Sequence, residues 1–91
     1  MGDVIIKLRV MPTGPEVDLV KIREVCEQKI KAFGGMVHKV TEEPVAFGLK
    51  SIVFVFLLDE KSANTDKMEA ELKQVPDVQS TEIVDVRKAF G

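Results

Sequence analysis

The spacing of apolar residues changes several times along the chain, and each change indicates a new element. Across residues 4–11 apolar side chains alternate with others, the period-two pattern of a strand with one face on a core. From residue 19 to residue 33 they recur every three or four positions, as in an amphipathic helix, and Gly34-Gly35 follows as a stop signal. Residues 13–16 have the Thr-x-x-Glu spacing of a capping box, so we expect this helix to begin there.

The second half of the chain repeats the alternation of strands and a helix. Residues 36–41 are more polar, which predicts an edge strand. Residues 50–58 are apolar on both faces, which predicts a central strand. Residues 78–87 predict the last strand.

A short second helix is predicted between the third and fourth strands. Asn64 or Thr65 can cap it and Pro76 ends it. Its inward residues are Met68, Leu72 and Val75. The order β-α-β-β-α-β predicts an α+β, ferredoxin-like sandwich, in which a four-stranded antiparallel sheet carries two helices on one face. No linker divides the chain, so we expect residues 1–91 to form one domain.

Composition and charge narrow the class of protein. A chain of 91 residues with 45% hydrophobic and 31% charged residues indicates one globular domain with a modest core. No apolar run approaches the roughly 20 residues of a membrane helix, and a formal net charge of −2 gives no support to nucleic-acid binding. The N-terminus has no secretory signal and Cys26 is the single cysteine. We therefore expect a cytoplasmic protein that is a monomer when free and that neither associates with a membrane nor binds nucleic acid directly.

Residues suited to catalysis are few. His38 lies in the middle of a predicted strand with no partner to orient it as a base, and Cys26 lies on the apolar stripe of the first helix, where a cysteine acts as a small hydrophobe. One histidine and one cysteine do not make a zinc site. Gly34-Gly35 ends a helix, so it is not a phosphate-binding loop. We expect no enzymatic activity, no catalytic residue, no metal and no cofactor.

RNA binding is an alternative function, since RNA-recognition domains use the same type of sheet. Their third strand carries the run K/R-G-F/Y-G/A-F-V-x-F/Y, and residues 50–57 match it only at Lys50, Phe54 and Val55. Phe54 and Phe56 are typical of core positions, whereas exposed on the sheet they would stack bases. A small-ligand regulatory domain, another use of this fold, is a third hypothesis.

One aromatic residue is not explained by the strand pattern. Phe47 lies in the segment PVAFGLK, residues 44–50, after Pro44, which restricts the residue before it to extended geometry, and before Gly48, which permits a bend. The ring either covers the end of the core or is presented beyond the sheet edge as an anchor for a partner. The residues alone leave both interpretations open.

Four segments together resemble a known family. They are VIIKLRVMPTGPEVDL at residues 4–19, EEPVAFGLKSI at 42–52, TDKMEAEL at 65–72 and VQSTEIVDVRKAF at 78–90. PVAFGLK joined to a terminal V-Q-S-T-[DE]-I strand resembles the guanine-nucleotide exchange domain of translation elongation factor 1-beta, in its short archaeal form. The resemblance covers essentially the whole chain.

The resemblance implies a function and a partner. It implies a domain without chemistry of its own that binds the GTPase elongation factor 1-alpha and promotes GDP release and GTP loading during protein synthesis. In eukaryotic relatives a lysine near the C-terminus reaches the magnesium site of the GTPase, and it matches Lys88. The phenylalanine of the A-F-G motif contacts another domain of the GTPase and matches Phe47. The segment before the lysine is Ala-rich in those relatives but Val-Asp-Val-Arg here, which leaves Arg87 as the alternative to Lys88.

Overall fold

Strands and helices alternate in the order that the sequence predicts. The structure is a computed structural model, and it describes residues 2–59, 61 and 65–88. The elements are β1 Asp3–Pro12, α1 Leu19–Ala32, β2 Met36–Pro44, β3 Lys50–Asp59, α2 Thr65–Lys73 and β4 Val78–Lys88. A short turn, Ala46–Gly48, joins β2 to β3.

The four strands form one antiparallel sheet in the order β2-β3-β1-β4. The predicted edge strand is therefore at an edge, and the strand predicted to be central lies inside the sheet. Both helices pack on the same face of the sheet, because side chains of α1 and α2 share one buried cluster with β1 and β3. The predicted α+β, ferredoxin-like fold is confirmed.

The core lies between the sheet and the two helices. Phe54 and Phe56 of β3 are both fully buried in it, and burial of such a side chain contributes about 1.5–3 kcal/mol. The helices add Ile22, Cys26 and Ile30 from α1 and Met68 and Leu72 from α2. Val75, just after α2, is also buried. The inward residues predicted for the second helical segment are thus confirmed.

The first helix begins later than the sequence predicts. The capping box at residues 13–16 is wrong, because α1 starts at Leu19 and its N-cap is Asp18. The Asp18 carboxylate accepts hydrogen bonds from two N–H groups of the first helical turn, at 3.1 and 3.3 Å, which is the role expected of Thr13. The Thr13 N–H instead donates to the carbonyl of Asp77 at 2.9 Å. This bond ties Thr13 to the loop before β4 and keeps it outside the helix.

Two other boundaries differ from the prediction. β2 extends to Pro44, which pairs with Lys50. A proline is tolerated there because an edge strand has one side that makes no ladder hydrogen bonds. α2 begins at Thr65, and the alternative cap, Asn64, lies outside the described residues.

An ion-pair network crosses the open face, which is the face of the sheet away from the helices. Arg9 of β1 places Nη1 3.4 Å from Oε1 of Glu82 on β4, and Nη2 3.8 Å from Oε1 of Glu43 on β2. Because β3 lies between β1 and β2, the Arg9 side chain must cross β3 near its register partner Val53. Val53 is accordingly only 1% exposed, although it does not face the helices.

Candidate interaction site

Phe47 lies at the tip of the hairpin between β2 and β3. Its side chain is 94% exposed, and that of Val45 beside it is 43% exposed. Phe47 therefore does not cover the end of the core. The exposed ring is available as an anchor for a partner.

The backbone at Phe47 is held in a conformation that phenylalanine rarely adopts. Phe47 (φ 63°, ψ 32°) and Gly48 (φ 77°) are both left-handed, as in a type I′ turn. The N–H of Leu49 donates to the carbonyl of Ala46 at 3.2 Å, and the N–H of Val45 donates to the carbonyl of Leu49 at 2.7 Å. Type I′ turns favour Asn-Gly, and the left-handed region costs other residues about 1–2 kcal/mol. Strain of this kind clusters at binding sites.

The other candidate residues lie at the end of β4. Arg87 pairs with Ile5 and Lys88 pairs with Val4. Because Val4 is buried on the helix side and Ile5 is on the open face, the two basic side chains project from opposite faces of the sheet. Arg87 Nε lies 2.7 Å from Oδ2 of Asp85 on the same strand, and both side chains are well exposed. The structure thus distinguishes Arg87 from Lys88 by the face of the sheet from which each side chain projects.

Phe47 and Lys88 lie at diagonally opposite corners of the sheet. Val4, the partner of Lys88, also pairs with Leu58 near the end of β3, whereas Lys50 at the base of the hairpin is the first residue of that ten-residue strand. With about 3.3 Å per residue along a strand and about 4.8 Å between strands, the two corners are roughly 30 Å apart. The longest dimension of the domain is 42 Å. Phe47 and Lys88 therefore do not form one pocket, and a partner that contacts both must span the domain.

The residues considered for catalysis do not assemble into a site. Burial raises the pKa of the Cys26 thiol to about 11, and the nearby Lys29 opposes this shift only in part. Cys26 is therefore a protonated core residue, while His38 is exposed on β2. Within the described residues, no group of three or more His, Cys, Asp or Glu side chains is placed to hold a metal ion. Neither described helix is long and apolar enough to cross a membrane.

The aromatic residues behind the RNA alternative are buried. Phe54 and Phe56 are 0% exposed and belong to the core cluster, so their rings are not available for stacking on bases. Phe33 also packs against the core. Among the described phenylalanines, Phe47 alone presents its ring to solvent, and it lies on the hairpin instead of the sheet surface. The RNA alternative loses the residues on which it depended.

The sequence matches a known family over almost its whole length. The family described as the EF-1 guanine nucleotide exchange domain matches residues 5–89. This chain belongs to that family. The resemblance found in the sequence is confirmed.

Archaeal relatives match this exchange domain over nearly their whole length. Elongation factor 1-beta of Methanobrevibacter smithii is 34% identical over 88 residues, which cover 97% of this chain and 98% of the relative. The protein of that name from Nanoarchaeum equitans is 38% identical over 82 residues, which cover 90% of this chain and all of the relative. These matches support the short archaeal form of a translation elongation factor.

Two solved structures share the fold of this exchange domain. The C-terminal domain of the MgtC protein from Mycobacterium tuberculosis has a TM-score of 0.68 at 14% identity, covering 96% of this chain and 88% of its own. The ACT domain from GTP pyrophosphokinase of Chlorobium tepidum has a TM-score of 0.64 at 12% identity, covering 90% of this chain and 99% of its own. At these identities the likeness concerns the fold alone.

Proposed function

We propose that this exchange domain binds the GTPase elongation factor 1-alpha and promotes its release of GDP and loading of GTP. The observation that carries the proposal is the exposed Phe47 ring on a strained, hydrogen-bonded turn, in a chain of the exchange family. Phe47 is the anchor on one domain of the GTPase, and Lys88 acts at the nucleotide site of another. The separation of roughly 30 Å between these corners supports contacts with two domains of the partner.

Lys88 acts on the magnesium ion of the partner. In such a GTPase, Mg²⁺ bridges phosphate oxygens to a hydroxyl and a carboxylate, and the ion carries much of the local charge balance. A lysine ammonium is a compact charge that competes for the carboxylate and repels the ion. GDP then loses its bridge and dissociates faster. The end of a paired strand is a rigid mount for a side chain with this role.

Faster exchange follows from linkage between the two binding events. A domain that prefers the nucleotide-free GTPase weakens nucleotide binding by the same factor by which nucleotide weakens binding of the domain. The domain therefore accelerates exchange without preferring GTP over GDP. No covalent step on the domain is required.

The direction of the side chains at the end of β4 separates Lys88 from Arg87 for this role. Asp85 lies 2.7 Å from the Arg87 guanidinium and offsets its charge. Arg87 also faces the open side of the sheet, whereas Lys88 faces the other side. Only one of the two can therefore approach a given pocket in one orientation of the domain.

Stopped-flow release of a fluorescent GDP from purified elongation factor 1-alpha tests the proposal. Lys88→Ala should lower catalysed release by well over tenfold, which corresponds to more than about 1.4 kcal/mol of barrier, and should weaken the complex much less. Raising Mg²⁺ should slow the wild type more than the variant. Arg87→Ala is the matched control and should release GDP at nearly the wild-type rate. If only Arg87→Ala slows release, the role belongs to Arg87, and if neither variant does, the proposal is wrong.

A further inference from the structure

Val86 lies beside Lys88 on the side of the sheet that carries the helices. Val86 pairs with Ile6 and Lys88 pairs with Val4, and both partners are buried in the core cluster. Register partners on neighbouring strands point to the same face of a sheet, so the two β4 side chains share one face. At about 3.3 Å per residue, they are roughly 7 Å apart along the strand. Val86 is therefore the apolar neighbour of the lysine that we assign to exchange.

The core stops covering this face of β4 before the strand reaches Lys88. Val78 at the start of the strand is 8% exposed, Ile83 is partly buried against the core, and Val86 is 54% exposed. An apolar side chain with this exposure adds little to the free energy of folding, because much of its surface stays in water. The helix side of β4 thus presents an accessible valine two residues before the lysine.

The ammonium group of Lys88 has to be directed as well as supplied. Pairing with β1 positions the backbone of Lys88, the last residue of β4, and the charge lies beyond it at the end of a flexible four-carbon stem. Misplacing a reacting group by about 1 Å lowers a rate by as much as about 100-fold. A contact made by the neighbouring residue can therefore control exchange without touching the magnesium ion.

We propose that Val86 is a positioning residue for Lys88, and that its side chain packs against an apolar group at the rim of the nucleotide site of the GTPase. This inference rests on the proposed function and adds a residue to the same site. The ammonium enters a pocket only if the rim comes down to the base of the lysine stem, and Val86 lies about 7 Å from that base on the same face. The wall of the pocket on this side of the lysine therefore lies over Val86.

The chemistry of the contact follows from the exposed surface of Val86. The group that covers it is an aliphatic or aromatic side chain, because a polar group pressed against the valine would lose its hydrogen bonds to water without replacement. The contact forms when Lys88 is inserted, whereas Phe47 holds the complex from the opposite corner. Val86 should therefore act on the rate of GDP release more than on the affinity of the complex.

Stopped-flow GDP release with Val86→Thr, over a range of domain concentrations, tests the inference. Threonine keeps the branched shape and the strand preference of valine but puts a hydroxyl group into the apolar contact. The maximal rate of release should fall about three- to tenfold, and the domain concentration that gives half of it should change less than about twofold. Thermal unfolding should be nearly unchanged, because the site is 54% exposed.

Val20→Thr is the matched control. Val20 is 56% exposed in the first turn of α1, which lies against residues 75–77 before β4 and so at the other end of that strand from Lys88. The chemical change and the exposure of the site are nearly the same as for Val86→Thr. The control should release GDP at the wild-type rate.

The magnesium dependence of the same reaction separates positioning from a general loss of contact. Raising Mg²⁺ should slow Val86→Thr less than the wild type and more than Lys88→Ala, because a misdirected ammonium competes less well with the ion. A wild-type maximal rate in Val86→Thr, or a slow Val86→Thr with the magnesium dependence of the wild type, would overturn the inference and leave the proposed function standing. If Lys88→Ala releases GDP as fast as the wild type, or if the wild type does not accelerate release, the inference falls together with the proposed function.

Discussion

Replacing Phe47 by asparagine should make the domain more stable and a weaker binder. Phe47 occupies the first left-handed position of the turn, where asparagine followed by glycine is the favoured pair. Its ring is 94% exposed in the free domain, so the substitution removes almost no buried area. The substitution should therefore raise the free energy of unfolding, because it relieves backbone strain, and lower the affinity for the partner, because it removes the ring.

The size of both effects follows from the geometry. The left-handed backbone costs phenylalanine about 1–2 kcal/mol, and asparagine avoids much of this penalty. The free energy of unfolding should rise by about 1 kcal/mol, which in a domain of this size raises Tm by about 4–8 °C. Loss of an interface anchor costs about 1–3 kcal/mol, so Kd for the GTPase should rise about 5- to 150-fold.

Urea unfolding and calorimetric titration measure the two effects separately. Phe47→Ala is the control, because alanine also removes the ring but keeps most of the left-handed penalty. It should bind as weakly as Phe47→Asn and unfold within about 0.5 kcal/mol of the wild type. If Phe47→Asn is less stable than the wild type, the backbone at Phe47 is not strained. If both variants bind the GTPase with wild-type affinity, Phe47 is not an interface anchor.

Three further predictions concern the core, the first helix and the cysteine. Phe54→Ala should cost about 3–5 kcal/mol of unfolding free energy, and the wild type should show no salt-sensitive binding to single-stranded RNA in a fluorescence titration. Asp18→Ala should cost about 1 kcal/mol in urea unfolding, whereas Thr13→Ala should cost less, because Asp18 is the N-cap. Burial, opposed in part by Lys29, raises the pKa of Cys26 from 9.0 to about 11. Between these values the unfolded chain releases a proton that the folded domain keeps, so stability should fall by roughly 2 kcal/mol from pH 9 to 11, and Cys26→Ala should lose that pH dependence.

The periodicity of the sequence predicted the fold because each buried face repeats with the period of its own element. Alternation in β1, the two-sided apolar run of β3 and the helical stripe of α1 are local signals that no other element contradicts. The start of α1 was predicted wrongly because Thr13 and Asp18 are both competent caps, and sequence spacing does not rank them. The hydrogen bond from Thr13 to Asp77 decides between them, and it joins residues far apart in the chain.

The site was predicted only in part, because its features depend on register and backbone dihedrals. Resemblance indicated Phe47, but nothing in PVAFGLK distinguishes a covered ring from a displayed one until the turn geometry is known. Arg9 looks like one solvated charge in the sequence. Its contacts with Glu43 and Glu82 exist because the strand order places their edge strands on either side of it. The pairing of Asp85 with Arg87 requires both to share a face.

The faces of the last residues of β4 are decided by a bulge. Leu8 pairs with Ile83 and Lys7 pairs with Asp85, so Val84 is the extra residue. If the same sequence paired without a bulge, each residue of β4 after Ile83 would pair one position further along β1. Each would then lie on the opposite face of the sheet. Asp85 would then face the core, where an unpaired carboxylate is costly, and Arg87 would take the place of Lys88. The position of Lys88 at this corner, with Arg87 held by the Asp85 carboxylate on the open face, therefore depends on the bulge at Val84.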